Sequence, residues 1–173
     1  MRRAFLSVVL LLAAFVMVPV SPASATPHCG ITWGSLEKSA AGLSQAPVTG
    51  VRTGRHACYD RLVLDVAGHV GGYTVRYVPH ITQDGSGAVI PTRGGAALQI
   101  TVNDPAESWA PSNPLELRNV AGYSTFRQVV HAGTFEGYTT VGLGLRARLP
   151  FRVLVLAGPG SSSRLVVDVA HHW

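Results

Sequence analysis

The fold class this chain predicts is an all-β sandwich with an N-terminal arm tied to it by a disulfide, and three observations predict it. First, apolar residues alternate with other types in run after run. In Arg61–Val66 and Arg164–Val169, Leu62, Leu64, Val66, Leu165, Val167 and Val169 point one way, while Arg61, Val63, Asp65, Arg164, Val166 and Asp168 point the other. Second, these runs are short and set apart by turn chemistry. The 173 residues hold 19 glycines and 11 prolines and almost no helical period, as suits strands and turns. Third, the chain holds two cysteines, Cys29 and Cys58, behind an N-terminal export signal, which is the setting for one structural disulfide.

The signal comprises Arg2 and Arg3, an apolar run from Ala4 to Val18, and Pro19-Val-Ser-Pro-Ala-Ser-Ala25 with the small-x-small ending of a peptidase site. Fifteen residues of apolar run fall short of the roughly 20 that cross a membrane. Residues 1–25 are therefore expected to be a signal peptide, leaving a secreted chain of 148 residues (173 minus 25) without a membrane span. Losing Arg2 and Arg3 lowers the formal charge from +5 to +3, 12 basic residues against 9 acidic. With one lysine and scattered arginines there is no basic stripe for nucleic acid.

Residues 26–47 read as an arm, with Ile31-Thr-Trp33-Gly34 apolar enough to dock and Ser35–Ala41 forming one or two helical turns capped by Ser35. Trp33 reads as a lid over one open end of the core. Residues 48–173 read as the sandwich. Strands are expected at Val48–Arg55, Arg61–Val66, Tyr73–Val78, Ala88–Ile90, Ala97–Val102, Thr125–Ala132, Tyr138–Leu149, Phe151–Leu156 and Arg164–Val169, with turns at Gly68–Gly72, Gln83–Gly87, Gly133–Gly137 and Gly158–Gly160. In Val141–Leu149 the glycines Gly142 and Gly144 fall on the outer face, where bare backbone invites a close neighbour. Between Asn103 and Asn119 lies one long irregular segment rich in proline. Its Trp109 either anchors that loop on the core or offers a stacking face for a sugar ring.

Cys58-Tyr-Asp-Arg-Leu-Val-Leu-Asp-Val66, Gly133-Thr-Phe-Glu-Gly137, Pro150-Phe-Arg-Val153 and Arg164-Leu-Val-Val-Asp-Val169 together resemble the AMIN-like domain of exported bacterial proteins, over roughly Val48–Trp173. That family is related to the AMIN domain, a β-sandwich that targets wall amidases and secretin subunits to the envelope and is thought to bind peptidoglycan. The resemblance implies a cell-envelope binding module, not an enzyme. Its expected partner is peptidoglycan, another wall polymer or an envelope protein, its location the cell exterior or wall, and no cofactor is implied. AMIN domains are joined to a catalytic or pore-forming domain; none is expected in these residues, so targeting would be the domain's own task or serve a separate chain.

Residue chemistry adds candidates. Arg61 and Asp65 sit four apart on a strand, roughly 13 Å, so each needs a partner on a neighbouring strand, as do Arg164 and Asp168. They read as two ion-paired ladders fixing register or, alternatively, as one wall of a groove for a stem-peptide carboxylate. Arg146, Arg148 and Arg152 are the densest basic group, with Glu136 just before it, and are the expected face for an anionic glycan or stem peptide. Seven histidines show no metal-motif spacing, and Asp84 lacks the further carboxylates of a calcium loop. There is no Gly-x-Ser-x-Gly elbow; for a small hydrolase, the alternative reading, Glu136 with Asp168 is the carboxylate pair to examine. A further alternative is an adaptor or inhibitor that binds through a sheet edge.

Overall fold

The computed structural model describes residues 28–106 and 109–173; the signal expected over residues 1–25 lies outside them. Eleven strands follow in order: β1 Lys38–Ala40, β2 Val48–Arg55, β3 Tyr59–Val66, β4 Tyr73–Val78, β5 Ile81–Thr82, β6 Val89–Ile90, β7 Ala96–Val102, β8 Phe126–Phe135, β9 Tyr138–Leu145, β10 Phe151–Ala157 and β11 Ser163–Ala170. They form a five-stranded sheet in the order β1-β4-β7-β9-β8 and a four-stranded sheet in the order β10-β11-β3-β2, with β5 and β6 pairing as a separate flap. Every pairing is antiparallel.

The core lies between the two sheets. Leu62, Leu64 and Val66 of β3 and Leu165, Val167 and Val169 of β11 meet Leu98 and Ile100 of β7 and Val141, Leu143 and Leu145 of β9, all but fully buried. The two Arg-Leu-Val-x-Asp-Val runs are thus neighbours in one sheet, with Leu62 opposite Val167 and Leu64 opposite Leu165. The Cys29–Cys58 disulfide, with its Cα atoms 6.0 Å apart, ties the arm to the start of β3. Cross-linking across 29 residues contributes about 3–4 kcal/mol on a chain-entropy account.

Several expected elements differ. Residues 38–40 form a strand and not helical turns: the exposed edge of β4 offers a hydrogen-bonded partner, Lys38 against Val75 and Ala40 against Tyr73, whereas an isolated helical turn must meet its nucleation cost alone. Ser35 caps no helix, its Oγ instead accepting a bond from Arg148. Trp33 is not a lid on the core. It lies 5.6 Å from Tyr59, which faces away from the core on β3, and beneath the Arg152 guanidinium. β9 stops at Leu145, because the chain must cross to the other sheet before β10. β8 runs on to Phe135, and the hairpin turn is Glu136-Gly137 alone, both at positive φ (50° and 83°) as a tight primed turn requires.

Asp60, on the core side of β3, is fully buried. Its Oδ2 accepts the backbone N–H groups of Thr125 and Phe126, and its Oδ1 lies 3.1 Å from His171 Nε2. One carboxylate therefore joins β3, the start of β8 and the C-terminal segment, and its buried charge has partners.

Candidate functional site

Alternation along β4 and β7 sends Val75, Leu98 and Ile100 into the core and turns Thr74, Arg76, Gln99 and Thr101 outward. Thr74 stands opposite Thr101 and Arg76 opposite Gln99, a polar strip that gives way to the apolar pair Val78–Ala97 at the end of the ladder. Ile81 of β5, Val130 and Ala132 make a second small core over the outer face of β8 and β9. The flap fits because Gly142 and Gly144 lack side chains: a Cβ on Gly144 would stand 1.9 Å from the Arg93 carbonyl oxygen, and one on Gly142 2.7 Å from Ile81. The close neighbour expected at these glycines is the chain's own flap.

Two shallow depressions remain open at this strand pair. A depression of about 360 Å³ lies over Thr74, Arg76, Gln99 and Thr101, bordered by Glu37, Asn103 and the exposed Tyr138 ring. A second, of about 480 Å³, lies between Tyr77–His80 and Gly94–Ala97, where Arg148 stands.

Among the described residues no carboxylate holds Arg148. Its Nε and Nη2 donate to Ser35 Oγ (3.2 Å) and Ser35 O (3.0 Å), and its guanidinium lies 4.7 Å from the centre of the Tyr77 ring. The Tyr77 hydroxyl donates to Leu149 O (2.7 Å) and accepts from Leu149 N (2.9 Å), so the ring is fixed as a platform. Burial pushes its phenol above the usual range, keeping it protonated. A guanidinium held on a ring and against neutral oxygens leaves N–H donors of its fork for an anion.

The other expected residues scatter. Arg146, just upstream on the link between β9 and β10, donates to His171 O (2.5 Å). Arg152 lies on the four-stranded sheet, its Nε 2.9 Å from Asp168 Oδ2 and its guanidinium 4.4 Å from the Trp33 ring. The arm connects the two places, Trp33 meeting Arg152 and Ser35 meeting Arg148. Glu136 does not join the arginines: it occupies the β8–β9 turn, and the eight residues of β9 hold it roughly 25 Å from Arg146. Trp109 packs on the core rim, 5.1 Å from His131 and apart from both depressions.

The charge ladders also take a different form. Asp168, with no exposed surface, binds Arg61 through two bonds (2.6 and 2.9 Å) and Arg152 through one. Asp65 faces Arg164 in register but is held from its other side by Arg52, at 2.7 and 2.6 Å. Arg164 therefore has no carboxylate and donates to Ala157 O (3.1 Å), correcting the expectation of two matching ladders. Of the two arginines expected in one wall of a carboxylate groove, Arg61 spends its fork on Asp168, while Arg164 bonds a backbone carbonyl. Asp168, engaged by two guanidiniums, is not placed as a free acid beside Glu136.

Arg76, Gln99, Thr101, Asn103 and Tyr138 were not singled out from sequence. The polar alternation of β4 and β7 was visible there, but not that these two strands would be adjacent and left uncovered.

The AMIN-like domain matches residues 46–171, from just before β2 to just past β11. The chain belongs to the AMIN-like domain family. No curated protein matches it. The AMIN-like region supplies the polar strip, the flap and Arg148, while β1, Trp33, Ser35 and Cys29 belong to the arm outside the matched residues. Among the described residues no cluster of His, Cys, Asp or Glu is arranged to hold a metal ion, and no helix is long and apolar enough to cross a membrane.

Proposed function

We propose that this AMIN-like chain is an exported, non-catalytic module that binds peptidoglycan, with the glycan along the β4–β7 strip and a stem-peptide carboxylate at Arg148. The observation that carries the reading is the strip itself, with hydroxyl, amide and guanidinium groups in register and, in the neighbouring depression, an arginine that bonds no carboxylate among the described residues. Sugars are recognised through such hydrogen-bonding groups with an aromatic face nearby, and Tyr138, 42% exposed, offers one at the far end. Glu37, 4.0 Å from Arg76, is the one carboxylate among the residues bordering the two depressions, which suits binding better than paired-acid hydrolysis.

Co-sedimentation of the purified protein with protein-free peptidoglycan across a salt series tests this. Retention should persist in salt and fall at least tenfold in Arg148→Ala and in the double variant Gln99→Ala/Thr101→Ala, while Arg164→Ala binds as wild type. Retention abolished by moderate salt, or equal loss in all three variants, would reduce the interaction to charge attraction and overturn the reading.

A further inference from the structure

β10, Phe151–Ala157, is the outermost strand of the four-stranded sheet, and its free edge is covered only at Phe151. It has one charge, Arg152, and no proline, lysine or bulge; its register with β11 is unbroken over seven pairs. The backbone directions can be read from its first residue. Phe151 N–H points away from β11 and donates to Gly34 O of the arm (3.0 Å), whereas Pro150 O points toward β11 and accepts from Ala170 N. Because these directions alternate, Arg152, Leu154 and Leu156 face β11, and the N–H and C=O groups of Val153 and Val155 face outward. Among the described residues these four groups have no partner. Beyond Gly34 the arm no longer covers the edge, and Val155 is 49% exposed although its side chain is on the core-facing side.

Of the other edge strands, β8 and the start of β2 are bonded by loop segments, while β1 offers only three residues. The edge of β8 is bonded by the 114–117 segment, through His131 N to Pro114 O and Leu117 N to Val129 O, and β2 receives Pro105 O at Val48 N.

From this we infer that two copies of the chain join through β10 in antiparallel register about Leu154, making one continuous eight-stranded sheet. The strand is self-complementary in that register. Val153 of one copy stands opposite Val155 of the other, both with outward backbone groups, so the two equivalent pairs exchange four hydrogen bonds. On the outer face Leu154 meets its own copy, and Arg152 faces Leu156, so the two arginines are not opposed. A two-residue slip that set Arg152 against Arg152 would still pair outward groups but would oppose like charges, so the charge pattern selects against that register. The exposed Val155 is covered in the same step.

The test is the mass of the purified, processed protein by light scattering and sedimentation over a concentration series. Twice the single-chain mass is expected at high concentration. Val155→Pro removes an outward N–H while leaving the β10–β11 bonds of Arg152, Leu154 and Leu156 intact, and should be a single chain with an unchanged melting transition. Val155→Lys, which places a charge at the contact without touching the backbone, should behave alike and covers the case in which the proline disturbs folding. Amide exchange at Val153 and Val155 should slow with concentration in the wild type. A single-chain mass up to millimolar concentration, or a dimer that persists in both variants, overturns the inference.

Discussion

Arg61 of β3 and Asp168 of β11 stand directly opposite each other, 107 residues apart in sequence, with Arg61 Nε 2.6 Å from Asp168 Oδ1. Arg152 reaches the same carboxylate from the other neighbouring strand, so one fully buried aspartate binds guanidiniums from the strands on both sides. Removing one partner of a buried pair costs about 3–5 kcal/mol. The arginines here keep 25% and 36% exposure and would recover some water, so Asp168→Asn should cost about 2–3 kcal/mol of unfolding free energy by urea titration. Asp65→Asn breaks a pair whose Arg52 is 57% exposed and should cost about 1 kcal/mol or less. Equal costs would mean that burial does not set the strength of these pairs.

That contrast shows what the sequence carried and what it did not. Alternation placed Arg61, Asp65, Arg164 and Asp168 on one face and required partners on adjacent strands, because four residues of strand are too long for an ion pair. It could not say which neighbour each would take. Asp65 has arginines on both sides and chose Arg52, a matter of side-chain geometry across strands that no local pattern encodes. The depressions were hidden for the same reason. Gly142 and Gly144 announced a close neighbour, but β5 and β6, at two residues each, are too short to leave a periodic signal, and it is the flap that divides the outer face into a covered half and an open one. β1 was misread because its partner, the edge of β4, lies 35 residues away.

Two partly buried groups, each with one unbonded buried atom, give stability opposite slopes with pH. His131 Nε2 and Asp84 Oδ2 are both buried and unbonded among the described residues. Burial lowers the His131 pKa from 6.5, so just below pH 6.5 the unfolded chain binds more protons than the folded one, and stability falls as the pH drops. Burial raises the Asp84 pKa from 3.8, so just above pH 3.8 the folded chain binds more protons, and stability gains as the pH drops through that interval. His131→Phe keeps a ring against Trp109 and should abolish the loss below pH 6.5, while Asp84→Asn should abolish the gain above pH 3.8. Thermal melts of the three proteins between pH 4 and pH 8 check both signs; an unchanged slope in His131→Phe would assign the acid-side loss to another group.

The flap is testable apart from the residues it borders. In Gly144→Ala the new methyl would stand 1.9 Å from the Arg93 carbonyl oxygen and 2.8 Å from Thr92 Cγ2. Backbone on the opposing side cannot rotate away as a side chain can, so the segment that follows β6 must lift, at a cost of about 1–3 kcal/mol. Gly50→Ala, on β2, meets nothing within 4 Å and should leave stability unchanged. Amide exchange is the discriminating measurement. In Gly144→Ala it should rise at Asp84 and Arg93, whose N–H groups bond Ala132 O and the Gln128 side chain, and stay slow across β3 and β11. If the flap forms a wall of the binding site, retention on peptidoglycan should fall in this variant although Arg148, Gln99 and Thr101 are untouched. Retention at the wild-type level with a demonstrably lifted flap would place the ligand on the open β4–β7 strip alone.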